Sequence, residues 1–223
     1  MTMSIVRAAF ERLPWLGLCG ALAVGCTGDD GSDGDTGGEG NESEVITTVR
    51  LTFTPQGGGT PVVAAFTDPD GDGGMSGSAD PIVLTNGTTY DLAVQFLNEL
   101  EDPPEDITTE VRDEAEAHQL FVTGSGVVGP ATEAVPEELV LHAYADVESD
   151  YGENAVGDDL PVGLAHTITA EAAGTGTLVI TLRHLPELNG QPQKVAGLAE
   201  MLAVGASLPG DVDAAVEFEL TVQ

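Results

Sequence analysis

The sequence predicts a mainly β protein, an antiparallel β-sandwich of about eight strands that is Ig-like or jelly-roll-like. Apolar and polar residues alternate with period two along several segments, the pattern of strands that have one buried face. The chain also contains 29 Gly and 13 Pro, enough to supply turns between many short strands. Helical periodicity is clear in one segment only. Together these observations favour two packed sheets over a helical or parallel α/β fold.

The predicted strands follow the chain from one end of the domain to the other. A Gly-rich turn at 55–61 separates the first stripe from a return strand at 62–67, and weaker strands are expected at 81–84, 119–123, 139–145 and 164–171. The clearest apolar stripes are Val49, Leu51 and Phe53; Tyr90, Leu92, Val94 and Phe96; Leu178, Ile180 and Leu182; and Val216, Phe218, Leu220 and Val222.

One short helix interrupts this pattern near 107–118. Ile107, Val111 and Ala115 recur four residues apart there, which places them on one helical face. Thr108 or Thr109 is the expected N-cap, because a hydroxyl there can accept from the free N–H groups of the first turn. A second helical patch is indicated at 194–204.

The beginning of the chain has the features of a secretory signal peptide. Arg7 and Arg12 precede an apolar run at 13–24 that ends in small residues, and this run is too short to cross a bilayer as a helix. The stretch before Cys26 resembles the lipobox of bacterial lipoproteins, in which the Cys becomes the lipidated first residue. Residues 1–25 are therefore predicted to be removed and Cys26 to be lipidated, the alternative being an ordinary signal peptide with an incidental Cys.

Residues 26–44 are predicted to form a disordered acidic tether between the lipidated Cys and a single sandwich domain at 45–223. The tether is rich in Gly and acidic residues and has no large apolar side chain, so it cannot bury enough surface to offset its ordering entropy. Thr27 follows the Cys, at the position where an Asp would favour retention in the inner membrane. In this respect the chain resembles lipoproteins that are sorted to the outer membrane.

The charge balance excludes nucleic acids as partners and argues against direct docking on anionic lipid. With 38 acidic and 6 basic residues, the formal net charge is −32. Nucleic-acid binding depends on Lys and Arg contacts to phosphate, and docking on anionic lipid needs a basic patch. We therefore expect contact with the membrane through the lipid alone, together with an envelope partner or ligand that the residues do not identify.

Five segments carry a resemblance in order along the chain: 45–49, 66–74, 98–106 with the acidic helix that follows, 116–119 and 181–186. Together they resemble a family of small Gram-negative lipoproteins commonly labelled "type 1 periplasmic binding fold superfamily". That label implies strands alternating with helices, whereas the period-two pattern of this chain predicts a sandwich. The family has no established activity, so the resemblance implies no reaction.

Two acidic loops are candidate calcium sites. Asp68, Asp70 and Asp72 alternate before a Gly, as in the first half of a calcium loop, and Asp80 is near enough in sequence to complete the oxygen shell. A weaker copy of the pattern is Asp146, Glu148 and Asp150. The alternative for both is a solvated acidic turn, since Asp-Gly is ordinary turn chemistry.

The four histidines offer a different kind of site. His118 and His184 both lie in segments that carry the family resemblance, and imidazoles brought together by a sandwich can bind a transition metal or haem iron. No two histidines have a local metal-binding spacing, so a site would need long-range assembly. The alternative is that the histidines are hydrogen-bonded at strand ends.

The residues predict a non-enzymatic protein, because neither a nucleophile elbow nor a Walker loop is present and the predicted mature chain has no free Cys. The expected function is that of a lipid-anchored envelope module for binding or structure, with a calcium-binding loop. The alternative is an accessory lipoprotein that captures metal or haem for an outer-membrane transporter.

Overall fold

Eleven β-strands and two α-helices occur in the computed structural model, which describes residues 45–71, 77–133, 137–153 and 157–223. The predicted signal peptide, Cys26, the tether and Asp72 lie outside the described residues. The strands are β1 Thr48–Pro55, β2 Val62–Thr67, β3 Ser78–Ala79, β4 Ile82–Leu84, β5 Thr89–Leu97, β6 His118–Thr123, β7 Val127–Val128, β8 Val140–Tyr144, β9 Ala165–Ala170, β10 Gly174–His184 and β11 Asp211–Val222. The helices are α1 Ile107–Asp113 and α2 Leu198–Ala203.

The strands form two sheets, as the sequence predicts. One sheet has the order β3-β2-β1-β5-β9-β8-β7 and the other β4-β11-β10-β6. The strand count is eleven instead of about eight, since β3 and β7 have only two residues each and are too short to show alternation. Two pairs, β7 with β8 and β4 with β11, are parallel, so the sandwich is not purely antiparallel. The described residues do not have the alternating architecture that the family label implies.

The core lies where the apolar stripes predict it. Val49, Leu51 and Phe53 of β1 are fully buried, as are Leu178 and Ile180 of β10, and residues of both sheets share one hydrophobic cluster. Full burial of each such side chain contributes about 1.5–3 kcal/mol. This stripe pattern fixes which face of each strand points inward.

The N-cap of the helix before β6 lies two residues before Thr108, the first of the two predicted caps. Asp106 is the N-cap, and its Oδ1 accepts from the N–H of Thr108 at 3.2 Å, so the prediction of a Thr cap is wrong. Thr108 is buried instead, and its hydroxyl accepts from the N–H of Phe96 at 2.9 Å. The helix ends at Asp113 and continues as a 3₁₀ turn, Ala115–Ala117, which leads directly into His118.

The outer face of β6 is buried as well. Phe121 packs with Leu185, Leu198 and Ala199 in a second cluster, so α2, which lies within the predicted helical patch, helps to cover this edge strand. An edge strand covered on both faces is a stable frame for side chains at its end. In the described part of the chain, no helix is long and apolar enough to cross a membrane.

Candidate metal centre

His118 and His184 are direct neighbours across the β6–β10 ladder. The antiparallel register pairs His184 with His118, Leu182 with Leu120 and Ile180 with Val122. The two histidines thus continue an inward-facing stripe of the core to the end of the sheet. Their rings stack with centroids 4.7 Å apart and an interplanar angle of 9°. The structure brings together the histidine pair that the sequence singles out.

Glu114 adds a carboxylate to this pair. It follows the last residue of α1, and its Oε2 lies 3.9 Å from His118 Nδ1 and 3.8 Å from His184 Nε2. One ligand atom from each of the three residues can be chosen so that all lie within 4.8 Å of one another. Among the described residues, no other three His, Cys, Asp or Glu side chains meet this condition. Sequence reasoning missed Glu114 because it extended the helix to about residue 118, whereas the helix ends at Asp113.

Asp213 approaches the same histidines from β11. The β10–β11 ladder is regular up to Leu182 opposite Ala214, and then Arg183 pairs with Val212. Asp213 is therefore the extra residue of a β-bulge, and its Oδ2 lies 3.9 Å from His118 Nε2. Its side chain is only 10% exposed, and Oδ2 has no hydrogen-bond donor among the described residues. A bulge leaves no sequence signature here, so Asp213 was also missed.

Burial sets the protonation states of this cluster. It lowers the pKa of His118 to about 4, an effect increased by the neighbouring His184. It also raises the pKa of Asp213 to about 6. At neutral pH His118 is therefore neutral and Asp213 ionised, which are the forms that bind a metal ion.

A backbone contact fixes the tautomer of His118. Its Nδ1 lies 3.2 Å from the carbonyl oxygen of Glu114. Because a carbonyl can only accept, this contact places the proton on Nδ1 and the lone pair on Nε2. In a metal-binding imidazole, the nitrogen that does not bind the metal usually donates to a carboxylate or a backbone carbonyl, and this hydrogen bond orients the ring.

The four side chains offer two nitrogens and two carboxylates, a donor set for a divalent transition metal. The stacked rings do not favour haem bound between the two histidines. Two axial imidazoles must approach the iron from opposite faces of the porphyrin, whereas parallel rings 4.7 Å apart lie against each other. A small ion can be shared by the two rings once the partly exposed His184 turns out of the stack, so that both lone pairs meet at one point.

The first acidic loop lies partly outside the described residues, because Asp72 is not among them. Asp68 is buried, whereas Asp70 and Asp80 are exposed. The Oδ2 of Asp80 accepts from the N–H of Ala65 at 3.1 Å, and the N–H of Asp80 donates to the oxygen of Ala65 at 2.9 Å. Asp80 thereby extends the pairing of β2 with β3, and calcium binding by this loop stays a prediction.

In the second acidic loop, the carboxylates contact separate protein donors. Asp146 is buried and accepts from the N–H groups of residues 163–165 at 2.7–3.0 Å and from the hydroxyl of Tyr151 at 2.8 Å. Glu148 pairs with the buried Nζ of Lys194 at 2.8 Å. Asp150 accepts from the N–H of Val147 at 2.9 Å. These contacts hold loops together, and the structure does not bring the three carboxylates to one centre.

The two remaining histidines form a second pair that the sequence reasoning did not propose. His142 Nε2 and His166 Nδ1 share a hydrogen bond of 2.8 Å on neighbouring strands β8 and β9. Burial lowers the pKa of His142 to about 3 and that of His166 to about 4. Their inward parity on two predicted strands was a usable signal, but their pairing depends on the register.

Comparison with known proteins finds no matching family model, no significantly similar curated protein and no significantly similar solved structure. The resemblance to the lipoprotein family stays a prediction, and the function has to be argued from the geometry of the site.

Proposed function

We propose that this protein is an exported, lipid-anchored binding module of the cell envelope that captures a divalent transition-metal ion. The observation that carries the proposal is the convergence of ligand atoms from Glu114, His118 and His184 within 4.8 Å. Two imidazoles make the site softer than an all-oxygen site, so it favours ions such as Zn²⁺ over Ca²⁺ or Mg²⁺. The protein binds the ion and does not act as an enzyme.

The charge of the molecule supports capture of a cation. A formal net charge of −32 raises the local concentration of cations around the chain. His184 is 18% exposed and Glu114 about half exposed, whereas His118 is fully buried. An ion therefore has partly exposed ligands to meet first and a buried ligand behind them.

In this proposal the lipid anchor and the tether determine where in the cell envelope the module lies. Lipidation of Cys26 holds the domain at the outer membrane, and the acidic segment 26–44 lets it stand away from the bilayer. Because the protein holds an ion without reacting with it, we infer that it supplies an outer-membrane transporter. Cys26→Ala is expected to move the protein from the membrane to the soluble fraction, and unchanged partitioning into detergent would contradict the anchor.

Metal binding is tested by titrating the full mature protein with Zn²⁺ and, separately, with Co²⁺. One ion per chain is expected, and Co²⁺ should produce visible absorption typical of imidazole ligation. His184→Ala and Glu114→Gln are each expected to weaken zinc binding at least tenfold, since each removes one ligand.

The matched control is Glu187→Gln, which removes an exposed carboxylate just after β10. It is expected to bind zinc like the wild type. Absence of stoichiometric binding, or binding that neither site variant weakens, would overturn the proposed function.

A further inference from the structure

We propose that Asp213 is the fourth ligand of this site and that the site holds Zn²⁺ with four protein ligands: His118, His184, Glu114 and Asp213. This inference rests on the proposed function, and it adds the buried half of the ligand set and the identity of the ion. The observation behind it is a buried carboxylate oxygen of Asp213 that has no hydrogen-bond donor and lies 3.9 Å from Nε2 of His118.

The β-bulge is what brings Asp213 to the histidines. In an unbroken ladder with Ala214 opposite Leu182, Asp213 would lie opposite Arg183 and share its outward face. The register shift instead leaves Asp213 unpaired along the strand, with its carboxylate 3.9 Å from the inward-facing His118. Bulges commonly re-aim one side chain next to a functional site.

The positive charge of Arg183 acts on Asp213, but its guanidinium does not hydrogen-bond to Oδ2 of that residue. Arg183 donates from Nη2 to the carbonyl oxygens of Pro209 at 2.8 Å and Gly210 at 2.7 Å. It therefore ties down the segment that leads into β11 and keeps the bulge in place. A buried carboxylate oxygen without a donor is costly, and a bound cation would remove that cost.

The geometry of Asp213 and His118 fits two ligands of one ion. The tautomer of His118 leaves the lone pair on Nε2, and Oδ2 of Asp213 lies 3.9 Å from that atom. In a tetrahedral zinc site with bonds of about 2.0–2.1 Å, neighbouring ligand atoms lie about 3.3 Å apart. A closure of about half an ångström would bring the two atoms to that separation. As the side chains stand, Asp213 does not join any two of the other three residues in a group of ligand atoms within 4.8 Å, so Glu114 and His184 have to turn toward it.

The other two ligands complete the shell from the solvent side. Glu114 and His184 are partly exposed, so their side chains have room to turn onto an ion that His118 and Asp213 hold from within. Zn²⁺ has no ligand-field preference against a tetrahedral arrangement, whereas Cu²⁺ favours a tetragonal one. Four protein ligands leave no open position for water, which suits holding an ion and not catalysis.

The test compares Asp213→Asn with Asp211→Asn in the full mature protein. Asp211 is exposed, lies on the same strand and pairs with His184 in the ladder, so its variant removes the same charge beside the site. Asp213→Asn is expected to weaken zinc binding at least tenfold and to change the Co²⁺ spectrum from intense tetrahedral bands to weaker ones. Asp211→Asn is expected to keep the tetrahedral spectrum and to weaken binding less.

X-ray absorption of the zinc-loaded wild type supplies a measurement that does not depend on how the variants fold. Two nitrogen and two oxygen neighbours near 2.0–2.1 Å are expected. If Asp213→Asn binds zinc and colours Co²⁺ like the wild type while His184→Ala does not, Asp213 is not a ligand and the proposed function survives. If neither variant alters binding, both proposals fail.

Discussion

The four histidines of the chain form two pairs that differ in their surroundings. His118 and His184 lie at the end of a sheet, and His184 is partly exposed. The carboxylate of Glu114 lies within 4 Å of both rings, and that of Asp213 lies within 4 Å of His118. His142 and His166 are buried and hydrogen-bonded to each other. No carboxylate of the described residues joins them in a group of three ligand atoms.

This difference separates two uses of the same side chain. The first pair has access to solvent and negative charge, which are the conditions for taking up a cation. The second pair has less access to solvent and less negative charge beside it, and burial keeps each ring neutral. Two neighbouring imidazoles are therefore not sufficient for a metal site. Nearby carboxylates and a path to solvent decide whether such a pair can bind a metal ion.

The largest expected effect is a loss of stability in acid, and it arises from the buried pair His142 and His166. Because the pKa values of His142 and His166 are lowered in the folded state, to about 3 and about 4, the unfolded chain binds more protons below its ordinary histidine pKa of about 6.5. The contribution of these two histidines to the free energy of unfolding is fully present above that pH and is lost as the pH falls toward 4. Between pH 6.5 and pH 5 the loss is at most about 2 kcal/mol for each histidine.

Denaturant unfolding at a series of pH values measures this loss. His142→Gln removes one titrating ring, so its free energy of unfolding should fall less steeply between pH 6.5 and pH 5 than that of the wild type, whatever its stability at neutral pH. It should still bind zinc normally. Parallel pH profiles of the two proteins would contradict the buried neutral pair.

A smaller effect is expected from calcium, which separates the acidic loops from the histidine site. If the loop that begins at Asp68 binds Ca²⁺ with a dissociation constant of about 0.1–1 mM, millimolar calcium should stabilise the fold by about 1 kcal/mol. Magnesium at equal ionic strength should do less, because it requires tighter octahedral geometry. Thermal unfolding in the two ions measures the difference.

Asp70→Asn combined with Asp72→Asn is expected to abolish only the advantage of calcium over magnesium, whereas His184→Ala should leave it unchanged. Equal stabilisation by both ions in the wild type would mean that this loop is a solvated acidic turn. A calcium effect that disappears in His184→Ala would place the ion at the histidines and break the distinction between the two kinds of site.

Much of the fold was predictable because strand alternation is a local property. Stripes such as Leu178, Ile180 and Leu182 identify the buried face from the pleat alone, and all of them lie in the core. The N-cap at Asp106 was not predicted, since two Thr residues competed for the position and tertiary contact with Phe96 engaged Thr108. The shortest strands were missed because two residues carry no period.

By itself the sequence determined which residues face inward, that two layers form and that His118 and His184 are the better pair of candidate ligands among the histidines. It could do so because side-chain direction along a strand depends only on parity. Only the tertiary structure decided that these histidines lie opposite each other, that a bulge turns Asp213 toward them and that His142 meets His166. Register, bulges and cross-strand partners depend on contacts between residues far apart in the chain, and local patterns do not encode those contacts.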